Sequence, residues 1–310
     1  MIESQEQELK EAEEKTYDLD IANDQIAMFR DGLPDERIKS LVSKHLEKLI
    51  DDSGIKGCEV LLLFDDKYSI NTFHSNKIYQ VAKDLDGKSN ILMIIQSGGG
   101  DIEPAYLISK TCKRLAKSKF NVVIPRKAKS AATLIALGAN ELHMGLLSEL
   151  GPIDPQFGGF PAMGLSNAME KIAEMSEKYP KASDMFAKYL TDNINIQHLG
   201  YFERINESAI QYASRLLEGK EYPDGNTPES LADHFTNHYK DHSFVIDADE
   251  TASLLGKKTV KEKTKEYELG NNIYEFLDLM GFWFDIFRKK SMRYVGSIED
   301  GLDLNDKKDS

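Results

Sequence analysis

The sequence predicts an α/β fold on a parallel sheet, with N-terminal helices and a helix-rich C-terminal part. Three observations carry this. Short apolar runs without alternation, "CEVLLLF" from Cys58, "NILMIIQ" from Asn90 and "NVVIP" from Asn121, have strand length and the character of strands buried on both faces. Between the second and third, Ala105, Ile108, Cys112 and Leu115 recur at helical spacing, so strand, glycine loop, helix and strand form a right-handed crossover unit. A second unit follows, with a strand to Pro125, a helix over 130–139 and the strand "ELHM".

Taken in order, residues 1–55 form an acidic helical extension. Glu3 to Glu14 reads as solvated, and 26–50 carries an apolar stripe at Ile38, Leu41, Val42, Leu46 and Leu49, ended by Gly54 and Gly57. Residues 56–260 form the core. Within it, helices are expected over 163–179, 183–198, 204–217 and 228–240, and Asp247 opens a short helix with a capping box to Glu250. Residues 261–295 hold a last amphipathic helix, 271–290, whose aromatics suit a core or an oligomer contact better than a cofactor site. The polar tail 296–310 is expected to be disordered.

The chain has 310 residues, 41% hydrophobic, enough for one large core. A net charge of −13 disfavours nucleic acid and anionic membranes as partners. No apolar run approaches the ~18 residues of a membrane span, and the N-terminus lacks the apolar segment of a secretory signal. Cys58 and Cys112 fit no zinc or disulfide spacing. These features predict a cytoplasmic protein without metal or cofactor.

Two motifs carry chemistry. "IIQSGGGDIEPA" places three glycines after a buried strand, where backbone N–H groups can approach a ligand. It lacks the Gly-Lys-Ser/Thr of a phosphate loop, and Glu103 breaks the dinucleotide pattern. An oxyanion hole and a plain tight turn both remain open. Ser130 precedes "AATLIALGA", a stretch so small and apolar that it must be buried. The hydroxyl could simply cap that helix. It could also be a nucleophile on the sheet edge where ligands of parallel sheets collect, although the Gly-x-Ser-x-Gly elbow of α/β-hydrolases is absent.

"QSGGGDIEPAYLI" and "AKSAATLIALGANELHMGLLSELGPIDPQFGG" resemble the serine dehydrogenase proteinase family, relatives of the Clp proteolytic subunit and signal peptide peptidase A within the Clp/crotonase superfold. The resemblance is strong over 91–159 and weaker to about 256. It implies repeated ββα units, a Ser130 nucleophile, oxyanion amides from Gly99, Gly100 and Ala131, peptide or protein substrates, and a homo-oligomer. The family's Ser–Asp–His order is met by Asp154 and His242, with Asp154 where the Clp subunit has its histidine. On the residues alone, two plainer readings stay open: Asp154 as a turn-stabilising side chain and His242 as a loop histidine. Lys171, on an apolar stripe that would lower its pKa, is the rival base, as in signal peptide peptidase A. His234, His238 and His242 recur every four residues; two adjacent ones could share a zinc, but all three span about 12 Å of helix, too far for one metal. Lys127 and Lys129 flank the serine and could hold a substrate carboxylate. Beside a soluble serine peptidase stand two other readings, a thioester enzyme of the same superfold and an inactive binding protein.

Overall fold

The computed structural model describes residues 15–85, 87–157, 160–161, 164–193 and 196–306. The expected solvated helix 3–14 lies outside them.

The apolar runs become β1 (Cys58–Asp65), β2 (Asn90–Ser97) and β3 (Phe120–Ile124). They pair in parallel in that order, and β3 continues to β5 (Glu141–Met144). Beyond β5 lies β9 (Val260–Lys261), also parallel. Two short strands, β4 (Lys127–Ala128) and β6 (Glu149–Leu150), extend the C-terminal end of β2, with Ala128 opposite Ser97. A hairpin, β7 (Gln156–Phe157) with β8 (Phe160–Pro161), follows.

Both faces of the sheet are buried, as unbroken apolar strands require. Leu61, Leu63, Met93 and Ile95 point to a core shared with α3 (Thr72–Leu85), α4 (Ile102–Leu115), α5 (Ala131–Leu137) and α8 (Ile196–Leu217). Leu62, Phe64, Leu92 and Ile94 meet α1 (Ala22–Arg30), α2 (Asp35–Ser53) and α11 (Lys265–Arg288). Every residue of α5 is buried. Its C-terminal end is closed by Lys220, whose Nζ donates to the carbonyls of Leu137 (2.7 Å) and Ala139 (2.5 Å). Burial, with Lys113 nearby, lowers the Lys220 pKa to about 7.

The structure departs from the sequence reading in four places. The stretch 26–50 is two helices, because Gly32 (φ 75°) and Pro34 break it. Helix α3 went unmarked, since among its buried positions, His74, Ile78 and Ala82, only one is a large aliphatic residue. Helix 228–240 ends early. Helix α9 (Pro228–Asp233) passes into a π-turn at His234–His238, and the chain is extended by Tyr239. His242 is therefore not on a helix with the other two histidines. Between them lie α6 (Gly164–Lys178) and α7 (Ser183–Asn193), and α10 (Ala248–Leu255) is capped by the Asp247 side chain as expected. Finally, the tail is not disordered as far as residue 306. β10 (Lys290–Gly296) pairs antiparallel with β1, and β11 (Leu302–Asp306) pairs with β10. Alternation within β10 buries Met292 and Tyr294 in the α2/α11 core, which offsets the cost of ordering a polar segment.

Candidate active site

The site forms where β2 and β4 end. Ser130 follows β4 directly and takes φ 51°, ψ −118°. This sparsely populated conformation costs a non-glycine residue about 1–3 kcal/mol and survives only where its surroundings impose it. The capping reading fails here, because the Ser130 side chain makes no cap hydrogen bond to α5. Among the described residues, nothing hydrogen-bonds to its hydroxyl. What holds the backbone is on either side. The Lys129 N–H donates to Ser97 O (3.0 Å), and Lys129 O accepts from the Ala132 N–H (2.8 Å).

The glycine bend packs onto this elbow. A Cβ on Gly99 (φ 101°) would lie 2.6 Å from Lys129 O, 2.8 Å from Ser130 Cβ and 3.1 Å from the Ala131 nitrogen. A Cβ on Gly100 (φ 155°) would lie 2.2 Å from the Ile70 nitrogen. Ile70 bridges the bend from the other side, donating to Gly99 O and accepting from the Asp101 N–H, each at 2.8 Å. The Gly99 N–H is already committed to Ser97 Oγ (3.2 Å). Among the described residues, the N–H groups of Gly100 and Ala131 have no acceptor.

Ser130, Gly98, Gly99, Gly100 and His242 line one cavity of about 580 Å³. Ile153, Tyr201 and Ile205 supply apolar lining, and Asp66 to Ser69 form another wall. His242 Nδ1 pairs with Asp154 Oδ1 at 2.6 Å, and Asp154 Oδ2 accepts from Gln156 Nε2 at 2.7 Å. Asp154 is only 13% exposed and sits behind the 35%-exposed imidazole. With Nδ1 facing the carboxylate, Nε2 is the nitrogen left for other partners. No hydrogen bond joins it to Ser130 in this structure. Residues 241–244 hold the histidine in a tight turn, in which Asp241 Oδ1 accepts from the Ser243 N–H (2.7 Å) and Asp241 O from the Phe244 N–H (3.0 Å).

Lys171 is elsewhere. It is 70% exposed, pairs with Glu174 at 2.7 Å and does not line the cavity. Its pKa is raised by the Glu174 hydrogen bond, not lowered by an apolar stripe. Lys127 pairs with Asp66 (3.3 Å), and Lys129 is turned into the protein. His234 and His238 stack with ring centroids 4.1 Å apart, and no group of metal-ligating side chains is assembled among the described residues. Sequence reasoning missed Ser97 as the partner of the bend. A serine directly before the glycines was the available signal.

Residues 67–219 match the model of the ClpP-like SDH-type serine proteinase family. This is the family that the sequence resembles. The ClpP-like segment contains the glycine bend, Ser130 and Asp154, and stops short of His242. Two uncharacterized proteins of Methanocaldococcus jannaschii are also similar. One is 29% identical over 149 residues, covering 44% of this chain and 52% of the relative. The other is 37% identical over 82 residues, covering 26% and 28%. The chain thus spans about half the length of the first relative and less of the second. Among solved structures, the 1510-N membrane-bound stomatin-specific protease in complex with a substrate peptide aligns at TM-score 0.43 and 14% identity, covering 67% of this chain and 77% of that one. ClpP1 from Listeria monocytogenes aligns at TM-score 0.40 and 16% identity, covering 71% and 98%. Among the described residues, no helix of this chain is long and apolar enough to cross a membrane.

Proposed function

We propose that the chain is a serine peptidase using Ser130, His242 and Asp154. The observation that carries this is the strained Ser130, its hydroxyl unpartnered, sharing a cavity with a histidine already oriented by a carboxylate. The family match of the segment supports the same class.

In this reading Ser130 Oγ attacks the scissile carbonyl carbon while His242 Nε2 takes the hydroxyl proton. Asp154 holds the imidazole and stabilises its protonated form. The carbonyl oxygen becomes an oxyanion facing the unpaired N–H groups of Gly100 and Ala131. Gly99, expected as a third donor, instead shapes the bend, since its N–H is used by Ser97. The C–N bond then breaks, His242 returns the proton to the leaving amine, and water releases the acyl group by the reverse steps. Catalytic pairs often stand apart in an empty site and close on substrate, so the gap between Ser130 and His242 is compatible with this role.

A cytoplasmic homo-oligomer acting on peptides or proteins is part of the proposal. Exposed side chains on α7, Met185 and Tyr189, support self-association, and light scattering of the purified chain tests it. The activity test is hydrolysis of casein and a peptide library, with fluorophosphonate labelling. Turnover and labelling that disappear in Ser130→Ala are expected. Turnover that survives this substitution overturns the reading.

A further inference from the structure

We propose that Lys129 is a positioning residue that locks together the three segments carrying Ser130, Asp154 and His242; this rests on the peptidase reading. The side chain beside the serine is only 14% exposed. Its ammonium donates to Leu150 O at 3.2 Å and to Phe244 O at 3.0 Å, and pairs with the Glu149 carboxylate at 3.2 Å. Leu150 and Glu149 lead into the Asp154 segment, and Phe244 lies two residues after His242. The aliphatic stem crosses Gly151 so closely that a Cβ there would lie 2.6 Å from Lys129 Cδ. The main chain of Lys129 is pinned to Ser97 and Ala132 by the bonds described above.

The His242 segment needs such an anchor. Phe244 and Val245 are 44% and 52% exposed, and the segment reaches the sheet through the Leu150–Ile246 bridge. Lys129 adds a tie on the histidine's side of that bridge, running directly to the residue next to the nucleophile. Together with that bridge, this side chain sets the distance between hydroxyl and imidazole. An ammonium suits the task because carbonyls and a carboxylate accept but cannot donate. Burial against three acceptors leaves it unable to greet a substrate carboxylate, the role that the sequence allowed.

The test is the rate of fluorophosphonate labelling of Ser130 in the full chain, which needs no natural substrate. Lys129→Met keeps the stem and removes the donors. Labelling is expected to slow about 10- to 100-fold, the scale of a small misplacement of reacting groups, and Lys129→Arg is expected to recover most of it. In a His242→Ala background, Lys129→Met should add no further loss, because its effect runs through the histidine. A merely architectural lysine would lower the melting temperature and leave the labelling rate of folded protein unchanged, which overturns the proposal. Should Lys129→Met not fold, Glu149→Gln carries the test: slower labelling supports the lock, and an unchanged rate overturns it. Failure of the peptidase reading looks different, since the unmodified chain would then not label at Ser130 or Ser130→Ala would still hydrolyse peptide.

Discussion

Among the described residues, two histidine–aspartate pairs lie within hydrogen-bond distance, and their surroundings differ. His74 and Asp65 are fully buried, with Nε2 and Oδ2 3.2 Å apart. Every other polar atom of that pair is committed. Asp65 Oδ1 accepts the N–H groups of Lys67 and Tyr68, and His74 Nδ1 faces Asn71. His242 and Asp154 are closer, at 2.6 Å, but one imidazole nitrogen is left over, on a residue that lines the same cavity as Ser130. A histidine beside a carboxylate is therefore no sign of catalysis. The informative feature is an unspent nitrogen sharing a cavity with an unspent hydroxyl.

The comparison is sharpest at the serine. Ser130→Ala is expected to lower turnover by at least about 10⁴-fold, the scale for removing a nucleophile from a cooperating set, with little change in melting temperature. Next come His242→Ala and Asp154→Asn, each expected to lower kcat by roughly 10²- to 10⁴-fold with KM nearly unchanged. His74→Ala should act on the other axis. It strands a buried carboxylate and should cost about 3–5 kcal/mol of stability in a denaturant titration, while folded molecules keep the pairing at His242. If His74→Ala instead abolished turnover in fully folded protein, the contrast between the pairs would break. Lys220 offers a pH test. Its pKa is lowered from 10.5 to about 7 on folding, so the unfolded chain binds more protons between these values. Stability should rise with pH across that window and fall as pH drops through 7. Chemical denaturation should show a flatter profile for Lys220→Met. The smallest effect belongs to Lys171→Ala, expected to change peptide hydrolysis by less than about twofold, as for a solvated ion pair.

How far the sequence reached follows the same division between saturated and unsaturated groups. Buried strands announce themselves by composition, so β1, β2 and β3 were legible from unbroken apolar runs. The crossover logic then placed the glycine bend and Ser130 on one sheet edge, as found. Helix α3 was not legible, because its inner face includes a polar His74 whose partner lies in β1. Strands β10 and β11 were hidden by their polar residues: lysine, serine and arginine interrupt β10, although most of it is buried, and β11 carries two aspartates and an asparagine. At the site, the family resemblance named Asp154 and His242, but only the structure shows Nδ1 facing the carboxylate. The φ of Ser130 and the inward turn of Lys129 leave no trace in composition. Both arise from contacts between segments far apart in the chain.

The wall of the cavity formed by residues 66–69 has one more support. Tyr68 Oη lies 3.2 Å from Ser291 Oγ, and the Arg293 guanidinium sits over the rings of Phe73 (3.9 Å) and Tyr68 (5.5 Å). These props come from β10, synthesised long after Ser130 has left the ribosome. A nascent chain thus carries its hydroxyl well before it can enclose anything, and would complete its own cleft only as the last strands zip onto the edge of the sheet. Chains truncated after Arg288 should expose that wall to limited proteolysis, whereas the full chain should resist it.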